Sequence, residues 1–84
     1  MYSIEWAKRA LRQLMKIDQE HRGKITSSVK KLSKWPECQN VKQLKKHHYQ
    51  YRLRVGRFRI FFNVENNIKI IKIEEVKKRD EHTY

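Results

Sequence analysis

The sequence predicts an α+β domain of order β-α-α-β-β-β, with an antiparallel helical hairpin packed on one face of a mainly antiparallel four-stranded sheet. Three observations carry that expectation. The apolar period changes from 2 to 3.6 after Trp6 and returns to 2 at Tyr51. Pro36 stops the helical stretch. Gly56-Arg57 and Asn66-Asn67 then mark tight turns between alternating runs.

Taken in order, Tyr2, Ile4 and Trp6 alternate along a short first strand. From Ala7, the residues Ala7, Ala10, Leu11, Leu14 and Ile17 follow helical spacing, with Lys8, Arg9, Arg12, Gln13 and Lys16 on the opposite face. Asp18 is the expected N-cap of a second helix, whose stripe is Ile25, Val29 and Leu32. Gly23 weakens that helix slightly, and Pro36 ends it near Trp35. The polar, basic stretch 37–50 is expected to be a loop anchored by Val41 and Leu44. Strands are expected over 51–55, 58–64 and 68–76, with a short basic tail over 77–84.

The first hairpin dictates its own register. With Gly56-Arg57 as the turn, Val55 faces Phe58, Arg54 faces Arg59, Leu53 faces Ile60 and Arg52 faces Phe61. One face then carries Tyr51, Leu53, Val55, Phe58, Ile60 and Phe62 as core. The other carries Arg52, Arg54, Arg59, Phe61 and Asn63. Like charges directly opposite each other destabilise a sheet by up to about 1 kcal/mol. A slip of one residue would bury the arginines, so the register is well specified. The second turn, at Asn66-Asn67, is expected to place Glu74 opposite Arg59, and the broken alternation at Ile70-Ile71 points to a bulge there.

Two readings of the arginine face follow. In one, Arg52, Arg54 and Arg59 line a solvated face, their stems resting on Phe61. In the other, three guanidiniums clamp a phosphodiester, Phe61 and Tyr49 stack on bases, and Lys77, Lys78 and Arg79 extend the basic surface. RNA and DNA backbone both satisfy the second.

Composition leans towards an anionic partner. The 84 residues have room for a single domain, spanning 1–84, and hold 21 Lys and Arg against 9 Asp and Glu, for a net charge of +12 and a pI near 10.2. Solubility alone rarely needs more than about 8 net charges in a small domain. Nucleic acid, an anionic surface or an acidic protein fits such an excess. Cys38 stands alone, which excludes a disulfide framework and suits a reducing cytosol. The start MYSIEWAKRA has no apolar signal region, and no run approaches a membrane span.

The ordered set Leu44, Tyr51-Arg52-Leu53-Arg54, Phe58-Arg59-Ile60, Arg79 and Tyr84 covers almost all of the chain. With the blocks VKQLKKHHYQYRLRVGRFRIFF and IIKIEEVKKRDEHTY, it resembles the RelE/ParE superfamily of type II toxin–antitoxin toxins, on the RelE-like side. The resemblance implies a cytoplasmic, cofactor-free endoribonuclease of a bacterial or archaeal cell. It would cut mRNA in the ribosomal A site, among 16S and 23S rRNA, and be neutralised by a cognate acidic antitoxin. It also implies an active site of Arg52, Arg54, Arg59, Arg79 and Tyr84, with His82 as a candidate for proton transfer beside His47, His48 and Glu74. Lys45, Lys46, His47, Tyr49, Phe61, Lys77 and Lys78 are the expected RNA contacts. The best-known members carry lysines where Arg52 and Arg54 stand here, and arginine cannot act as a base at ordinary pH. No metal is expected, since His47 and His48 are adjacent in the chain and do not converge on one ion. The alternative within the superfamily is a ParE-type inhibitor of DNA gyrase without nuclease activity; outside it, a basic nucleic-acid-binding module.

Overall fold

The computed structural model describes residues 1–79. Its elements are β1 (Ser3–Trp6), α1 (Lys8–Met15), α2 (Gln19–Lys30) followed by a 3-10 turn (Lys31–Lys34), β2 (Val41–Gln43), β3 (Tyr51–Val55), β4 (Phe58–Glu65) and β5 (Ile70–Lys78). The strands form one sheet of order β1-β5-β4-β3-β2, with β1 parallel to β5 and the remaining pairs antiparallel.

Local chemistry accounts for the helices. Asp18 caps α2: its carboxylate accepts the His21 backbone N–H at 3.3 Å and meets His21 Nδ1 at 2.7 Å. Those hydrogen bonds from His21, side chain first, hold the Asp18 carboxyl below its ordinary value. α2 and its 3-10 turn bury Ile25, Val29 and Leu32, and α1 buries Ala10 and Leu14. Leu11, expected to face inward, is 43% exposed, because the short α1 offers the sheet a narrower stripe than the spacing implies. Trp35, next to Pro36, packs edge-on against Tyr51 and Phe62, with ring centroids 4.6 and 5.6 Å apart.

These side chains cover one sheet face, made of Leu53, Phe58, Ile60, Phe62, Val64, Ile71, Ile73 and Val76. Ile60, Phe62, Ile71 and Ile73 are fully buried, each stabilising the fold by about 1.5–3 kcal/mol relative to exposure.

The loop expected over 37–50 contains a further strand. Val41, Lys42 and Gln43 pair with Leu53, Arg52 and Tyr51, making the sheet five-stranded rather than four-stranded. Three residues are too few to display an alternation.

The β3–β4 register is the expected one, including Arg54 opposite Arg59. The β4–β5 register is not. A four-residue turn over 66–69, with Lys69 at φ 53°, starts β5 at Ile70 instead of Ile68, and Lys77, not Glu74, lies opposite Arg59. The irregularity lies between Phe61 and Phe62, where the partner changes from Glu75 to Ile73 and Glu74 is left over, rather than at Ile70-Ile71. The bulge lets Ile71, Ile73 and Val76 all reach the core. Lys77 and Lys78, expected in the tail, are residues of β5.

Candidate nucleic-acid interface

Residues in register share a sheet face, so the pairings lay out the surface opposite the helices. One row runs Lys42, Arg52, Phe61, Glu75, and the next runs Arg54, Arg59, Lys77. At the turn end of the hairpin, Arg52, Arg54, Gly56, Arg57, Arg59 and Arg79 line a cavity of about 170 Å³. Gly56 adopts φ 56°, which lets the two-residue turn close. The Arg79 backbone N–H donates to the Arg57 carbonyl at 2.6 Å, which brings the end of β5 to the turn. Arg52 Nε is buried and meets no acceptor among the described residues. An unsatisfied buried donor costs about 1–3 kcal/mol, more when charged. Among the described residues the lining of this cavity holds five guanidiniums and no carboxylate.

The neighbouring row is an aromatic cluster. Leu44 N–H donates to the Gln50 carbonyl at 2.8 Å and closes the intervening loop, where Lys46 has φ 52°. The loop folds His47 and Tyr49 onto Phe61, with centroids 5.3 and 5.5 Å from it at interplanar angles of 13° and 30°. Tyr49 is 8% exposed and Phe61 7%. The Tyr49 hydroxyl donates to Glu75 Oε2 at 2.8 Å and accepts from Arg9 Nη1 at 3.2 Å. Burial, then the bond to Glu75, pushes the Tyr49 phenol up. Burial also raises the Glu75 carboxyl, but the Tyr49 bond and the charges of Lys77 and Arg9 outweigh it and leave that group below its ordinary value.

The bulge sends both of its carboxylates to this side of the sheet. Glu75 reaches Tyr49, and Glu74 Oε2 accepts from Asn63 Nδ2 at 3.3 Å. A second cavity, of about 250 Å³, lies here between Ala7, Arg9, His48, Tyr49, Asn63 and Glu74.

Of the expected active-site residues, Arg52, Arg54, Arg59 and Arg79 converge; His82 and Tyr84 lie outside the described residues. Arg57 joins them; reading it only as a turn residue hid a charge carried at the same end as Arg54 and Arg59. Among the expected RNA contacts, Lys45, Lys46 and His47 are exposed on the loop, and Lys77 stands beside Arg59 with its Nζ 3.7 Å from Glu75 Oε1. Tyr49 and Phe61 stack on each other instead of presenting open faces. Lys78 pairs with Phe58 and lines a groove of about 340 Å³ on the helix side, with Gln13, Lys16, Ile17, Asp18 and Val76, so it is not brought to the arginine cavity. Arg52 and Arg54 hold charge without exchanging protons, and no described titratable side chain lines their cavity except arginine.

Residues 4–83 match the family model for the ParE toxin of type II toxin–antitoxin systems (parDE). By sequence alone, no curated protein gives a significant match. Among solved structures, the chain is similar to RelE in the archaeal RelE–RelB complex from Pyrococcus horikoshii, at 25% identity and TM-score 0.79, covering 95% of this chain and 97% of that one. The RelBE2 toxin–antitoxin complex of Mycobacterium tuberculosis matches at 20% identity and TM-score 0.81, over 93% and 98% of the two chains. The isolated RelE toxin of E. coli shares the fold at 16% identity and TM-score 0.82, over 96% and 87%. The β-α-α-β-β-β core and the family model agree, and the chain belongs to the RelE/ParE superfamily of type II toxin–antitoxin toxins.

Proposed function

We propose that this toxin is a ribosome-dependent mRNA endonuclease acting in the cytoplasm of a bacterial or archaeal cell. The observation that carries the reading is the convergence of Arg52, Arg54, Arg59 and Arg79, with Arg57, on one cavity, a site suited to a phosphate whose charge increases during reaction. In the proposed step a ribose 2′-oxygen attacks the adjacent phosphorus. The new O–P bond forms, the bond to the 5′-oxygen of the next nucleotide breaks, and a 2′,3′-cyclic phosphate remains. The 2′-hydroxyl proton passes to a base, and the leaving 5′-oxygen takes a proton from an acid. Arg52, Arg54, Arg59 and Arg79 would clamp and neutralise the phosphorane, with Arg57 beside them. Proton transfer then falls to other groups, of which His82 and Tyr84 are the candidates. A cognate acidic antitoxin would neutralise the +12 chain. Its apolar side chains would suit the groove between α1 and β5. The similar toxins of P. horikoshii and M. tuberculosis are found in complexes with their antitoxins.

The matched ParE family model favours a second reading, inhibition of DNA gyrase without RNA cleavage. Induction in cells separates the two. The nuclease reading expects translation to stop within minutes and new mRNA 5′-ends to accumulate on ribosomes; continued translation with rising DNA breaks selects the gyrase reading. Arg59→Ala and Arg79→Ala should each abolish growth arrest with an unchanged circular dichroism spectrum. Arrest by both variants would remove the clamp.

A further inference from the structure

We infer that the second cavity, between α1 and the bulged end of β5, is a nucleobase pocket that selects guanine in a strand held by the arginine cavity; the inference rests on the reading of that cavity as an RNA phosphate site. Its lining brings a guanidinium and a carboxylate into one space of about 250 Å³, and each charge is held by a neighbour instead of by the other. Arg9 Nη1 donates to the Tyr49 hydroxyl at 3.2 Å, and that hydroxyl is anchored on Glu75 at 2.8 Å. Glu74 Oε2 accepts from Asn63 Nδ2 at 3.3 Å, and Asn63 Oδ1 accepts the Gln50 N–H at 2.8 Å. A guanidinium carries five N–H donors and a carboxylate about four acceptor positions, so these contacts leave both groups able to meet a ligand.

Such a ligand needs acceptors towards Arg9 and donors towards Glu74. Guanine presents O6 and N7 to an arginine as a bidentate pair. Its N1–H and N2–H₂ lie side by side for a carboxylate. Adenine and uracil lack both pairs, and cytosine lacks the pair of donors. His48, exposed on the loop and edge-on to Tyr49 at 4.8 Å, supplies the open aromatic side chain of the lining. Position agrees with a substrate contact as well. Asn63 lies four residues along β4 from Arg59, about 13 Å at strand rise. That is about four nucleotides of a stacked strand at about 3.4 Å each, and fewer when the strand is extended.

The test uses the full chain and 2′-O-methyl RNA tetranucleotides, which cannot be cut and which differ in one base. Fluorescence anisotropy should show the guanine-containing oligonucleotide binding at least tenfold more tightly than its uracil counterpart. Glu74→Gln and, on the exposed helix surface, Arg9→Gln should each narrow that difference below threefold. Equal affinity for all four bases overturns the inference, as does a guanine preference that survives in both variants. Cleavage of ribosomal mRNA by the unaltered chain is scored separately. Guanine selection without cleavage leaves the pocket standing and removes the nuclease reading, whereas cleavage without guanine selection does the reverse.

Discussion

The two hairpins that share β4 treat charge in opposite ways. β3–β4 closes with the minimum turn, keeps strict alternation and sets Arg54 directly against Arg59. β4–β5 closes with a longer turn, breaks alternation at a bulge and brings Glu74 and Glu75 to the same side. The first concentrates positive charge beside the turn, while the second surrounds its polar groups with mutual hydrogen bonds. A single sheet face thereby carries a basic region and, beside it, a region of mixed charge in which Arg9 and Glu74 are each partly occupied by a neighbour. The difference teaches that register, more than residue count, decides whether a basic strand becomes a binding surface.

The largest test of this comparison acts on what the hairpins have in common. Phe62 is fully buried, pairs with Tyr51 on one side and Ile73 on the other, and lies in the core. Phe62→Ala should lower stability by about 3–5 kcal/mol in urea unfolding, and tryptophan fluorescence and far-UV circular dichroism should lose structure together. Separate transitions would mean that the hairpins are independent units.

The turns should respond in opposite directions. A Cβ at Gly56 meets nothing within 4 Å, so Gly56→Ala is penalised by its φ of 56° alone, by about 1–2 kcal/mol. Lys69, at φ 53° in the other hairpin, already carries that strain, and Lys69→Gly should gain roughly 0.5 kcal/mol after the extra flexibility of glycine is subtracted. Thermal melts of both variants check the pair of signs.

The charge contrast predicts a smaller effect. Arg59→Gln should raise stability by up to about 1 kcal/mol at low ionic strength, with a gain that shrinks in 1 M salt, while growth arrest is lost. A destabilised Arg59→Gln would show that the arginine row is internally compensated.

The smallest effect concerns acid. Glu75 has a carboxyl lowered in the folded state, so its contribution is present above the unfolded value and disappears as pH falls through the folded one. Tyr49→Phe removes the hydroxyl that holds this carboxylate, so the loss of stability between pH 5 and pH 3 (about the carboxylate range) should be shallower in the variant. Parallel pH profiles would detach Glu75 from Tyr49.

The β3–β4 half was legible in the sequence because glycine at the turn and six alternating apolar residues leave one consistent pairing. In β4–β5, the doublet Ile70-Ile71 drew attention to the wrong break. The informative signal was the step of three from Ile73 to Val76 against the steps of two through Phe58, Ile60, Phe62 and Val64, which demands an extra residue between them. Four of the cavity's five arginines, all but Arg57, were readable from register and resemblance. The folding of His47 and Tyr49 over Phe61 was not, because it depends on the Leu44–Gln50 closure and on Arg9 and Glu75, which lie far apart in the chain. The opposed charges of Arg9 and Glu74 were equally hidden, since they come to line one cavity only once α1 is laid beside β5.

Gln13 has a consequence of another kind. β1 covers β5 only as far as Ile73, and beyond it the Val76 N–H is taken by Gln13 Oε1 at 2.6 Å. A bare strand border invites a second molecule to extend the sheet, and chains that do so polymerise. By occupying that donor with an amide from its own helix, the toxin keeps the border short and poor in free donors. What this protects is colloidal behaviour: the occupied donor gives a second copy of the chain less to pair with.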